Sequence, residues 1–149
     1  MSLAAVLPQV QEPAIIWAEE QERIGLRVGF TLRPNELADA RAVGVLSPEK
    51  IRVVTAQSLP MPTDAWLKDV ALETGLLGPH FHGLTLGYVI FLVEGRESRR
   101  LLTHECRHVY QYERAGSIRA FLPVYLRQIA TVGYDAAPLE LDAIEREIV

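Results

Sequence analysis

The chain has 149 residues, 49% of them hydrophobic, and a formal net charge of −4. That is enough apolar residue for one core and too little chain for two comfortable domains. Lys and Arg are spread along it rather than clustered, which excludes the basic stripe that a nucleic-acid backbone requires. The single cysteine, Cys106, excludes an internal disulfide and points to a reducing, cytoplasmic setting.

The opening MSLAAVLPQVQEP lacks the basic start of a signal peptide, and Pro8 and Pro13 interrupt it. With no clear period over 1–12, a flexible N-terminal arm is expected there and a single domain over 13–149. From Pro13 the run AIIWAEEQERIGLRVG reads as a helix ending near Gly25 or Gly29, with Glu19, Glu20 and Glu22 on its wet face. A short helix follows over Arg33–Ala42, started by Pro34 and stopped by Gly44 and Pro48. Ile51–Ala56 is rich in branched residues and reads as a strand, which Pro60 and Pro62 end. Thr63 or Asp64 caps a helix through TDAWLKDVALETG, with Trp66, Leu67, Val70 and Ala71 inward.

LLGPHFHG is a turn-rich connection in which His80 and His82 lie two apart. Gly83–Glu94, GLTLGYVIFLVE, is the strongest strand signal in the chain, and its apolar strip of about ten residues has the length of a strand rather than of a membrane span. The turn GRESRR leads into a helix over about Arg99–Arg114, which Gly116 stops. A second buried helix is expected over Arg119–Val132, with Pro123 suited to its first turn, and a last helix begins at Pro138.

The chain is organised around the Arg99–Arg114 helix, which carries HECRH. Residues four apart share a helical face, so His104 and His108 can point at one ion while Glu105 stands at its edge. Chance would give H-E-x-x-H in about one shuffled chain of this composition in a hundred, so the string is informative. Leu101, Leu102, Cys106, Val109 and Tyr112 allow most of the helix to be buried, as fixed metal ligands require. Cys106 points away from the ligand face and is a small buried hydrophobe. Tetrahedral zinc held by two histidines needs a third protein ligand and an open position. Among the later acids, Glu140 is preferred: it falls in the first turn of the last helix, between Leu139 and Leu141, with Ala143 leaving room for the motif helix.

HECRHVYQYER followed by PLELDAIE resembles the gluzincin branch of zinc metallopeptidases, in compact bacterial forms with little beyond the catalytic core. The resemblance covers roughly residues 51–149. It implies a minimal zincin-like α+β fold, with a small sheet beside the motif helix and a C-terminal helix carrying the third ligand. It further implies that Zn²⁺ is held by His104, His108 and Glu140, that Glu105 is the general base of peptide-bond hydrolysis, and that the strand before the motif lines the cleft for an extended peptide. The family often places an aspartate four residues after the ligand glutamate to support a zinc histidine. Ile144 stands there, with Asp142 and Glu145 the nearest substitutes. No downstream histidine is present to stabilise an oxyanion, and Tyr134, with Tyr125 as the other candidate, is assigned that catalytic place. The expected partner is a peptide or protein substrate, with no nucleic acid and no membrane. The alternative is a non-catalytic zincin-like interaction or structural module, in which His80, His82 or the tail closes the metal as a fourth ligand.

Overall fold

A computed structural model describes all 149 residues. The fold is α+β: six helices, α1 (Leu3–Val28), α2 (Pro34–Ala42), α3 (Ala65–Glu73), α4 (Arg99–Ala115), α5 (Ile118–Val132) and α6 (Pro138–Glu145), with three strands, β1 (Arg52–Ala56), β2 (Gly83–Leu86) and β3 (Val89–Val93). The strand order is β1-β3-β2, with β1 parallel and β2 antiparallel to β3. No helix is long and apolar enough to cross a membrane.

The central strand β3 has the sequence VIFLV, and both of its faces are covered. Val89 and Phe91 pack with Ile15 and Ala18 of α1 and with Phe121, Leu122 and Leu126 of α5. Ile90 and Leu92 pack on the other side with Leu102, Cys106 and Val109 of α4 and with Ala40 of α2. A strand buried on both faces reads as a continuous apolar run, and this one does. A third apolar cluster joins Leu3 and Val10 of α1 to Leu67 and Val70 of α3 and to Ile129 of α5.

Expectations are corrected at two kinds of place, helices that run through prolines and a strand that hides a turn. Residues 1–12 are not a flexible arm, because α1 starts at Leu3, capped by the Ser2 side chain, and runs through Pro8 and Pro13. A proline frees the carbonyl four residues earlier. Here those carbonyls belong to Ala4 and Gln9, which are exposed and open to water. The stripe Leu3, Leu7, Val10, Ala14 and Ala18 packs inward, and that burial offsets the cost of the prolines. The same holds for Pro123, which lies inside α5 rather than at its start, below an exposed Arg119.

The second correction is at Gly83–Glu94, which is a hairpin and not one strand. Leu86 pairs with Val89 across a two-residue turn at Gly87 and Tyr88. Gly87 has φ +65° and Tyr88 does not have positive φ, the pattern of a type II′ hairpin turn with glycine first. The turn makes β2 an edge strand and lays it against α4.

Candidate metal centre

Helix α4 begins at Ser98, whose hydroxyl accepts from the Leu101 N–H, and ends at Gly116 in the left-handed conformation at φ +102°. Between these caps its apolar side, Leu102, Cys106 and Val109, is fixed against β3 and α2. The adjoining face, carrying His104, Glu105 and His108, is thereby turned toward β2 and α6. Cys106 is fully buried and burial pushes its thiol far above the usual range, so it is an inert core residue.

Helix α6 brings Glu140 to the histidines. His104 Nε2 lies 3.2 Å from Glu140 Oε1, and His108 Nε2 lies 3.1 Å from Glu140 Oε2. One ligand atom from each of the three residues falls within 4.8 Å of the others. Ligands at zinc distances of about 2.0–2.1 Å in a tetrahedral array stand about 3.3 Å apart, so the spacing suits such an ion. All three side chains are nearly enclosed: 13% of His104, 8% of His108 and 3% of Glu140 is exposed.

The outer hydrogen bonds set which ring nitrogens are free. His104 Nδ1 lies 2.8 Å from Glu147 Oε2, and His108 Nδ1 lies 2.8 Å from Gln111 Oε1. The Gln111 amide nitrogen donates to the Leu139 carbonyl and to Asp142 Oδ2, which fixes its oxygen toward His108. Each histidine therefore has an acceptor at both nitrogens. An imidazole so placed either carries two protons or gives up the Nε2 proton to a metal ion. Two imidazolium rings with centroids 4.9 Å apart would repel one another, whereas two neutral rings donating through Nδ1 and ligating through Nε2 satisfy every contact. The residues fit a divalent cation.

Without an ion, the neighbouring acids favour the protonated rings, and a cation at Nε2 would take the place of those protons. Burial pulls the His104 imidazolium down, but Glu140, Glu105 and Glu147 outweigh it and raise its pKa to about 9. Burial likewise opposes charge on His108, and Glu140 and Glu105 again win, so it is raised. Glu140 is pushed up by burial, yet its hydrogen bonds to His104 and His108 hold it well below the usual carboxylate range. Tyr125 donates to Glu140 Oε2 at 2.8 Å and fixes the carboxylate from the other side.

Glu105 is the buried acid that touches no histidine nitrogen. Its Oε1 accepts from the Thr85 hydroxyl at 2.8 Å, and Thr85 stands on β2 opposite Ile90, on the face turned to α4. Burial raises its pKa, partly offset by His108, His104 and Thr85. A carboxylate whose pKa is raised by burial and that stands beside the two histidines is suited to take and return a proton.

The acid outside the group that bonds directly to one of its histidines is neither Asp142 nor Glu145 but Glu147. Ile144 is exposed, Asp142 forms a bidentate pair with Arg107 and steadies Gln111, and Glu147, beyond the end of α6, reaches His104. Gln111 went unread, though its place three residues after His108 on the same helical face was a usable signal; Glu147 lies past a helix end and carried none. His80 and His82 line the mouth of the cleft but stand outside the ligand group. Tyr125 is committed to Glu140. Tyr134 lines both the inner cavity and the outer cleft, its ring 4.9 Å from that of Phe81. The cavity beside Glu105, His108 and Glu140 measures about 70 Å³, and an apolar neighbour of about 80 Å³ shares Leu84, Leu86, Leu122 and Tyr125 with it.

Compared with protein-family models, with curated proteins and with solved structures, the chain matches none.

Proposed function

We propose that the protein is a zinc-dependent metallopeptidase of zincin type. The observation that carries the reading is the convergence of His104 Nε2, His108 Nε2 and the Glu140 carboxylate from α4 and α6, with Glu105 buried beside them. Zinc held by these three residues supplies Lewis acidity toward a scissile carbonyl and toward water. Glu105 accepts the proton of the attacking water and returns it to the departing amine, steered by Thr85. Glu147 and Gln111 orient the two imidazoles through Nδ1, and Tyr125 orients the Glu140 carboxylate, so that both Nε2 atoms face the proposed ion. Tyr134 lines both the cavity and the cleft, and in this reading its phenol would donate to a developing oxyanion. The free edge of β2 supports an extended peptide through backbone hydrogen bonds.

The alternative of a non-catalytic module needs a closed metal with a fourth protein ligand. The ligand group contains three residues, and an open position favours catalysis. The test is zinc stoichiometry on untagged protein together with hydrolysis of a mixed peptide pool. The parent is expected to hold one zinc per chain and to cleave. His104→Ala and Glu140→Ala should lose both properties, while Glu105→Gln keeps zinc and loses about 10²–10⁴-fold in rate. A parent that holds no zinc at neutral pH would refute the reading, and equal zinc loss in Glu105→Gln and His104→Ala would refute the assigned roles.

A further inference from the structure

The cleft leading to His104 is chemically lopsided. Its inner end is the apolar cavity beside Leu84 and Leu86. Its outer part, about 300 Å³, lies between the 78–82 loop, the turn before α4 and the first turns of α4, and His80, His82, Arg96 and Arg100 line it. The only carboxylates there are Glu105 and Glu147, and both are engaged, with Thr85 and with His104. Arg96 forms no ion pair, and Arg100, 62% exposed, touches only Glu147 at 3.7 Å. On a chain with net charge −4, the cleft thus presents at its entrance one guanidinium without an ion-pair partner, Arg96, and one only loosely held by Glu147, Arg100.

We infer that this cleft selects substrates bearing a carboxylate on the Arg96–Arg100 side, bound by guanidinium forks whose planar donors match a carboxylate's two oxygens. The inference rests on the peptidase reading and adds a substrate class to it. The carboxylate has two sources, the free C-terminus of a short peptide or an Asp or Glu side chain within a longer one.

Four acetylated peptides separate them: Ala-Leu-Leu-Ala amide, the same peptide as the free acid, and the amides with Asp in the first or in the last position. Their binding to zinc-supplied Glu105→Gln protein, which leaves them intact, is measured by calorimetry, with zinc content determined on the same preparation. At least one carboxylate peptide is expected to bind about five- to tenfold more tightly than the neutral amide. That gain should shrink in 0.5 M salt and disappear in Arg96→Gln with Arg100→Gln. Which peptide gains identifies the source. Equal affinity across the four, no binding by any of them, or a gain that survives both arginine substitutions would overturn the inference. If zinc is retained in that case, the peptidase reading stands without it; if zinc is not held, both fall.

Discussion

At Gly83 the chain leaves space for a carboxylate. A Cβ built there would lie 2.9 Å from Glu105 Oε2 and 3.0 Å from Leu101 Cδ1. The glycine is needed for close approach and not for an unusual backbone. Gly83→Ala is therefore expected to displace Glu105 while leaving the ligands in place, so zinc content holds and peptide cleavage falls by about 10²-fold, as small misplacements of a catalytic group do. Unchanged cleavage would mean that Glu105 yields freely and is not fixed by β2. A second prediction at this scale concerns protons in the chelated protein. His104 has a folded pKa near 9 against about 6.5 unfolded, so its contribution to stability is fully present below about 6.5 and is lost as the pH rises through 9. The metal-free melting temperature should fall over that window. Zinc in the proposed site would take the same Nε2, so the loaded protein should lose zinc as the pH drops instead, and parallel pH profiles for the two forms would contradict a shared atom. The three residues that converge, His104, His108 and Glu140, were legible because H-E-x-x-H and a first-turn glutamate obey helical spacing. The groups around them were mostly not, because Thr85 and Glu147 reach the site from other elements and nothing in their own sequence neighbourhoods marks them, while Tyr125, expected as an oxyanion donor, instead donates to Glu140.

Helix α1 shows how local punctuation misleads when packing decides. Pro8 and Pro13 are strong breaking signals over a few residues, yet Leu3, Leu7, Val10 and Ala14 keep a three–four spacing straight across them. The inward stripe joins α3 and α5, and Val10 is 1% exposed among Leu67, Val70 and Ile129. Val10→Ala should cost about 2 kcal/mol in denaturant unfolding with zinc content unchanged. A cost near zero would return the N-terminal segment to the status of a loose arm. The hairpin is the converse case. A continuous run of strand formers hid a turn, because Gly87 and Tyr88 sit between two buried strands and only the positive φ of Gly87 distinguishes them. The turn matters for the site: without it β2 would not fold back along α4, and Thr85 would not meet Glu105. α2, α3, β1 and α4 obey local rules of capping and period and lie within a residue or two of their sequence-expected bounds.

Across the molecule, the site lies between a well-buried sheet and a lightly built closing segment. α6 has eight residues, too few to be helical on its own, and it is held by side chains rather than by a wide apolar face. Glu140 meets the two histidines, Asp142 meets Arg107, the Leu139 N–H is accepted by Gln128, and beyond the helix the Ile148 N–H is accepted by Thr103. Of these, the meeting of Glu140 with the histidines is the one an ion would change. Zinc at a free concentration about a thousand times its Kd would stabilise the folded chain by about 4 kcal/mol, roughly 10 °C in melting temperature for a chain of this length. Chelation should remove that increment, and its local signature should be uneven. Amide exchange is expected to rise across Pro138–Ile148 and in the α5–α6 connection. β3, buried on both faces, should keep its protection until global unfolding. A uniform rise would mean that the ion stabilises only the fold as a whole. No change in either melting or exchange would mean that hydrogen bonds alone hold α6 against α4, and that His104, His108 and Glu140 form a polar core rather than a metal centre.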